Sequence, residues 1–153
     1  MTISKTDVFE VKAVHNLPEE IPSIDLLFMP LKKQITLTGA VLEAQYSVDE
    51  NYLVFITENC PFEESLLISL IDATGKLLDT LELSAWYTPG ILSNLRIQPP
   101  NKICFSFFDD SECWVLEILS KTITQFWANK FPVKRNHPFL HKTYIKLKHI
   151  KND

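Results

Sequence analysis

Apolar and polar residues alternate along most of this chain in short runs, a pattern that is typical of half-buried β-strands. We predict strands over residues 8–14, 24–29, 35–38, 42–47, 52–57, 65–71, 77–83, 91–98, 103–108, 113–119, 122–127 and 143–150. Short segments rich in Asn, Asp, Ser and Pro separate them, as expected for turns in a chain with only 3 glycines. The pattern therefore predicts an all-β protein whose consecutive strands pair antiparallel.

Two segments are more specific than the general alternation. Residues 52–57 read Tyr-Leu-Val-Phe-Ile-Thr with almost no polar interruption, which predicts a strand that is covered on both faces. Residues 72–76 read Asp-Ala-Thr-Gly-Lys, and Gly75 is able to adopt the positive φ that a tight turn requires. We therefore expect a central strand in the first of these segments and a hairpin at the second.

The strand pattern repeats within the chain. Tyr46 and Tyr52 correspond to Ile97 and Ile103, 51 residues later, which predicts two four-stranded antiparallel meanders. Residues 42–83 also resemble a β-propeller blade, because a Ser-x-Asp turn follows Tyr46 and an Asp-x-Thr-Gly-Lys hairpin closes the unit. The resemblance implies blade-like sheets. Four blades need roughly 160 residues, so we expect the sheets to pack as a sandwich or as a partial propeller.

Length and composition place the chain among ordinary globular domains. A chain of 153 residues with 46% apolar and 22% charged residues predicts a single all-β domain over residues 1–153. Its apolar runs are too short to cross a membrane, and residues 1–7 lack the pattern of a signal peptide. Cys60, Cys104 and Cys113 do not have the spacing of zinc ligands. We therefore expect a cytoplasmic protein with reduced thiols, while a disulfide between Cys104 and Cys113 across a hairpin remains open.

Charge divides the chain into an acidic body and a basic C-terminal segment. Residues 1–128 hold 18 acidic and 8 basic side chains, whereas residues 129–152 hold 7 basic and no acidic ones. The acidic body disfavours nucleic acid and favours a basic protein partner. Aromatic residues are interleaved with the basic ones in residues 129–153, which leaves a nucleic-acid contact open. We favour instead a solvated outer strand at residues 143–150, where lysines alternate with apolar residues.

Acidic pairs recur in the turns between the predicted strands. Alternate turns of a meander gather at the same end of its sheet, and two aromatic residues stand in one of the longer loops. Such a surface suits a protein partner, because aromatic side chains anchor interfaces and negative charge steers a basic partner. The predicted partner-binding residues are Asp49, Glu50, Glu63, Glu64, Trp86, Tyr87, Asp109, Asp110 and Glu112.

The sequence contains no motif of catalysis, metal binding or cofactor binding that we can defend. It has no Gly-x-Ser-x-Gly, and its isolated glycines do not form a phosphate-binding loop. His137 and His141 stand four residues apart, but Pro138 interrupts the helix that such a zinc pair requires. We therefore expect a non-enzymatic protein without a cofactor. An enzyme built around the thiol of Cys104 or Cys113 remains open as an alternative.

In general type, a small acidic all-β protein of this kind resembles the bacterial immunity proteins that block toxic nucleases, as in contact-dependent inhibition systems. The resemblance implies an antitoxin, monomeric or homodimeric, that neutralises a basic toxin through its acidic loops. A second interpretation is a blade-like interaction module whose sheet edges are completed by another chain of a larger or self-associating assembly.

Overall fold

Strands and short turns make up the parts of the chain that the computed structural model describes. These are residues 1–126, 131–135 and 140–151, without the side chains of residues 125, 126, 140, 141 and 151. The strands are β1 (Ile3–Lys5), β2 (Phe9–His15), β3 (Ser23–Phe28), β4 (Lys33–Thr38), β5 (Val41–Val48), β6 (Asn51–Thr57), β7 (Ser65–Ile71), β8 (Leu77–Ser84), β9 (Ser93–Gln98), β10 (Lys102–Ser106), β11 (Glu112–Phe126), β12 (Val133–Arg135) and β13 (Leu140–Lys151). The all-β prediction is thus confirmed. Within the described ranges, no helix has the length and apolar character needed to cross a membrane.

The strands form three antiparallel sheets. A six-stranded sheet has the order β1-β5-β6-β7-β8-β12, a four-stranded sheet the order β13-β11-β10-β9, and a three-stranded sheet the order β2-β3-β4. The blade-like segment 42–83 forms the meander β5 to β8 at the centre of the six-stranded sheet. The sheets pack face to face, as in a sandwich, and the strands that the structure describes do not close into a propeller or a barrel.

The six-stranded sheet is the middle layer, and β6 shows this most clearly. Leu53 and Phe55 pack into the core shared with the four-stranded sheet. Val54 and Ile56, which point the other way along the pleat, pack into a second core with the three-stranded sheet. The prediction that residues 52–57 are covered on both faces is therefore confirmed. Each of these buried side chains contributes about 1.5–3 kcal/mol to the free energy of folding.

The hairpin between β7 and β8 is built by local hydrogen bonds. Asp72 Oδ1 accepts hydrogen bonds from the backbone N–H groups of Thr74 at 2.8 Å and Lys76 at 3.0 Å. Gly75 has a φ of +84°, which a residue with a Cβ rarely adopts. The tight turn expected from Asp-x-Thr-Gly-Lys is therefore present, and its carboxylate holds it closed.

The second predicted meander differs from the structure in its fourth strand. A turn was expected at Ser120 and Lys121, but β11 continues through both residues. The chain adjusts there by a register shift in the pairing of β11 with β13, between Ile118 and Ile123. The C-terminal strand β13 extends beside β11 and takes the position of the fourth strand. The polar pair therefore sits at an irregularity within a long strand.

The segment after residue 130 contains a strand that is not among the predicted ones. Val133–Arg135 forms β12, which pairs with β8. Arg135 is buried, and its Nη1 lies 2.8 Å from both carboxylate oxygens of Asp79 in β8. Arg135 Nη2 also donates to the carbonyl oxygen of Ile145 in β13. This buried ion pair joins β8, β12 and β13, and it gives a basic residue of the C-terminal segment a structural role.

The strand β13 is amphipathic, as the sequence indicates. Ile145 is fully buried in the core and Leu147 packs against it, whereas Lys146 and Lys148 are exposed. The prediction about a zinc pair falls on His137 and on the side chain of His141, which lie outside the described residues.

Candidate functional site

Four loops meet at one end of the stacked sheets, and we call this surface the loop end. It comprises residues 16–22, 58–64, 85–92 and 107–111. Glu64 N donates to Thr88 O at 3.3 Å, which joins the second loop to the third. Ile91 N donates to Phe107 O at 2.9 Å, which joins the third loop to the fourth. A surface cleft lined by residues 16–22 and 58–60 joins the first loop to the second.

The structure gathers most of the predicted partner-binding residues at or beside the loop end. Those in the loops or at their margin are Glu63, Glu64, Trp86, Tyr87, Asp109, Asp110 and Glu112. Asp49 and Glu50 form the turn between β5 and β6, and successive turns of an antiparallel meander lie at opposite ends of its sheet. Asp49 instead lies beside the N-terminus, where its Oδ1 accepts a hydrogen bond from Thr2 N at 2.8 Å. The nine residues therefore do not form one rim.

Large apolar side chains are unusually exposed at the loop end. The exposed fractions are 83% for Phe62, 76% for Trp86, 89% for Tyr87 and 79% for Ile91. Further exposed apolar residues at this end are Leu17 and Ile21. Exposed Phe131 lies beside it, because the carbonyl of the next residue, Pro132, accepts a hydrogen bond from Ser84 N at 3.1 Å. A cluster of such residues, mixed with polar ones, is characteristic of a surface that a partner covers.

Sequence reasoning missed several of these apolar residues. Leu17, Ile21 and Phe131 each precede a proline. Proline interrupts a strand pattern, so the pattern places these apolar residues in turns and does not mark them as contact residues. The signal available in the sequence was a large apolar residue next to a proline in a turn. A turn does not need such a residue unless something packs on it.

The aromatic pair stands on a turn that two hydrogen bonds close. Thr88 N donates to Ala85 O at 3.2 Å, and Thr88 Oγ1 donates to Trp86 O at 3.0 Å. Tyr87 has a φ of +52°, a left-handed conformation that is uncommon for a bulky residue. The turn therefore presents two exposed rings on a hydrogen-bonded backbone, and such local constraint lowers the entropic cost of binding a partner.

Two of the predicted carboxylates hold the loops in place. Glu64 is buried, and it accepts hydrogen bonds from the N–H groups of Glu58 at 2.9 Å, Cys60 at 3.1 Å and Ser65 at 3.1 Å. The other, Glu112, accepts hydrogen bonds from Phe108 N at 2.7 Å and Trp114 Nε1 at 2.9 Å. Both side chains are therefore positioning residues, since their oxygens are directed into the protein.

Other carboxylates of the loop end face solvent. Glu19, Glu20, Asp109 and Asp110 are exposed. Hydrogen bonds from Ser111 lower the pKa of Asp109, so this side chain keeps its charge in mildly acidic solution. Burial raises the pKa of Glu58, and the nearby charges of Glu82, Glu64 and Glu63 raise it further. The smaller contribution of these three carboxylates reflects the negative potential of the surface, which attracts a basic partner.

The cations of the four-stranded sheet lie on a different face. Leu116 and Ile118 of β11 point into the core, so the alternate residues of β11 and their neighbours on adjacent strands point outward. Cross-strand pairing places Arg96, Lys102, Lys146 and Lys148 on this outer face. The molecule is therefore polarised, with an acidic and apolar loop end and a separate basic face.

Among the described residues, no group of three His, Cys, Asp or Glu side chains is arranged to hold a metal ion. The chain matches no protein-family model. Comparison with curated proteins finds no match, and comparison with solved structures finds none either.

Proposed function

We propose that this chain is a non-enzymatic binding protein whose loop end docks a basic protein. Within that class, we propose an immunity protein of the bacterial type, an antitoxin that neutralises a basic toxin such as a nuclease. It would act in the cytoplasm, where such a toxin reaches its substrate.

The observation that carries the proposal is the composition of the loop end. Exposed aromatic and aliphatic side chains there stand beside exposed carboxylates, and among the described residues no basic side chain forms an ion pair with Glu19, Glu20, Asp109 or Asp110. Glu112, at the margin of the loop end, is paired with His149 at 3.1 Å. Apolar anchors supply affinity when a partner buries them, and the surrounding negative charge accelerates association with a positive surface. A nuclease is a suitable partner because its substrate is a polyanion, so its active face is basic.

The experiment compares two variants that reverse the same number of charges at opposite ends of the protein. Asp109→Lys/Asp110→Lys alters the hairpin at the loop end, and Asp49→Lys/Glu50→Lys alters the hairpin at the other end. Each pair has one carboxylate that accepts a backbone N–H, from Ser111 at 2.9 Å and from Thr2 at 2.8 Å. Wild type and both variants serve as baits for a lysate of the source cells at low and high salt.

The proposal predicts one basic protein that wild type and the Asp49/Glu50 variant retain at low salt, and that the Asp109/Asp110 variant loses. The retained protein should be toxic when expressed alone, and coexpression of wild type should restore growth. Equal retention by all three baits would contradict the assignment of the loop end. A partner without toxicity would overturn the antitoxin function while leaving the docking surface intact.

A second candidate function is an interaction module that pairs with another chain through a sheet edge. The open edge of β9 supports this candidate, because β9 pairs with β10 on one side and with no described strand on the other. Such an edge accepts an added strand. Sedimentation over a range of concentrations tests this candidate: growth beyond a dimer supports it, and a constant monomer excludes self-assembly.

A further inference from the structure

Two cysteines lie together on the outer face of the four-stranded sheet. Cys104 in β10 and Cys113 in β11 form a small buried cluster with Val115, separate from the two main cores. Cys104 is directly opposite Val115 in the β10–β11 pairing, and Cys113 is two residues before Val115. The two thiols are therefore diagonal neighbours on one face of adjacent strands. Both are free thiols in the structure.

The surroundings of the two sulfur atoms differ in a way that favours redox chemistry. Arg96 Nη2 donates to Cys113 Sγ at 3.5 Å, so a guanidinium lies beside this sulfur. Cys104 Sγ donates to Gln98 Oε1 at 3.2 Å, so Cys104 is held as the neutral thiol. Burial raises the pKa of Cys104, and the electrostatic influence of the neighbouring Cys113 adds to the rise. The guanidinium contact distinguishes Cys113, which attacks first in the reaction below, from Cys104, which attacks second.

The strand geometry also indicates how stable the resulting bond is. Diagonal neighbours in an antiparallel pair have Cα atoms about 7–8 Å apart, which is just beyond the usual span of a disulfide, about 4.4–6.8 Å. Closing the bond therefore requires a small local shift of β10 against β11. A register shift between Cys104 and Ser106 in the β9–β10 pairing places an irregularity beside the site. A disulfide formed under such strain is easily reduced, which makes it reversible.

We propose that Cys104 and Cys113 are a reversible redox site that a hydroperoxide oxidises to an intramolecular disulfide. The Cys113 thiolate attacks the peroxide and forms a sulfenic acid, and the displaced oxygen leaves as water or as an alcohol. The Cys104 thiol then attacks the sulfenic sulfur, the S–S bond forms as the S–O bond breaks, and the sulfenic oxygen leaves as water. Two thiols and one hydroperoxide thus give one disulfide, with the peroxide reduced.

The site lies at the base of the hairpin that carries Asp109 and Asp110, since its two cysteines flank that turn. Oxidation would therefore link the two strands that present these carboxylates. The redox proposal does not depend on the proposed function, because it concerns the thiols alone.

The test uses the full chain with Cys60→Ser, which removes the exposed third cysteine. The reduced protein is treated with one equivalent of hydrogen peroxide, and thiols are counted and intact mass measured over time. The matched control is Arg96→Gln in the same background, which removes the guanidinium at Cys113. A parallel sample receives phenylarsine oxide, a reagent that bridges two thiols only when they lie close together.

The proposal predicts the loss of both thiols, a mass lower by two hydrogen atoms, and full recovery with dithiothreitol. Arg96→Gln should slow oxidation about tenfold, with no change in the end product. One arsenical should bind per chain, and Cys104→Ser or Cys113→Ser should abolish this binding. Two thiols that persist, covalent dimers, or stable sulfinic acids at either cysteine would overturn the proposal. Failure of phenylarsine oxide to bridge the two thiols would also overturn the proposal. This result does not depend on whether the serine variants fold.

Discussion

Removal of the Asp79 carboxylate is expected to destabilise the protein strongly. The side chains of Asp79 and Arg135 are only 4% and 1% exposed. The variant Asp79→Leu leaves the guanidinium buried without its carboxylate, and breaking a buried pair in this way costs about 3–5 kcal/mol. Asp79 Oδ2 also accepts hydrogen bonds from Tyr144 N at 3.0 Å and Ile145 N at 3.2 Å. Losing these bonds adds about 1 kcal/mol each where no other acceptor replaces the carboxylate.

The expected loss is a large part of the whole free energy of unfolding, which is about 5–15 kcal/mol for a typical domain. Urea unfolding at neutral pH measures it for Asp79→Leu, Arg135→Met and the double variant, provided that the urea dependence is unchanged. The double variant should recover at least half of the sum of the single losses, since an apolar pair often replaces a buried ion pair at little cost. The surface pair Lys12–Glu10, at 3.1 Å, is the control, and Glu10→Leu should cost less than about 1 kcal/mol.

The result that refutes this reasoning is a loss below about 1 kcal/mol for Asp79→Leu. It would mean that solvent reaches the pair and that β12 and β13 are not held against β8 as described. A double variant no more stable than the worse single variant would equally contradict the pairing of Asp79 with Arg135.

Three further predictions concern the loop end and the packing of the sheets. Glu58→Gln should raise the urea midpoint at pH 7, because the raised pKa of Glu58 shows that its charge is unfavourable in the folded state. The gain should vanish below the ordinary glutamate pKa of 4.5, where wild type is protonated in both states. Glu64→Ala should cost about 1–3 kcal/mol and speed amide exchange in residues 58–64, with Glu64→Gln intermediate. Gly39→Ala should cost about 1–3 kcal/mol in urea unfolding, because Gly39 has a φ of +127° and a Cβ there would lie 2.1 Å from Ile56 Cγ2.

The parts of the fold that the sequence predicts are those with strong local patterns. The continuous apolar run of residues 52–57 identifies the strand of the middle layer, and Asp72 with Gly75 identifies its hairpin. The hairpin depends on interactions within a few residues, and the strand depends only on the burial of its apolar side chains. Local chemistry therefore sufficed for the class of the fold and for most strands.

The missed elements depend on partners that are distant in sequence. β12 is a strand because Arg135 reaches Asp79, 56 residues earlier, and no local pattern reports that contact. β11 continues through Ser120 because β13 pairs beside it, although a polar pair alone resembles a turn. The loop end was predicted only in part for the same reason: acidic turns are visible in the sequence, but the end of the sheet at which each turn lies follows from the topology.

The most direct test of the loop end as a docking surface is hydrogen–deuterium exchange of the chain with and without its captured basic partner. The account predicts slowed exchange in residues 16–22, 58–64, 85–92 and 107–111, and unchanged exchange at Asp49 and Glu50. Protection confined to that opposite turn, or to the basic outer face of the four-stranded sheet, would contradict it.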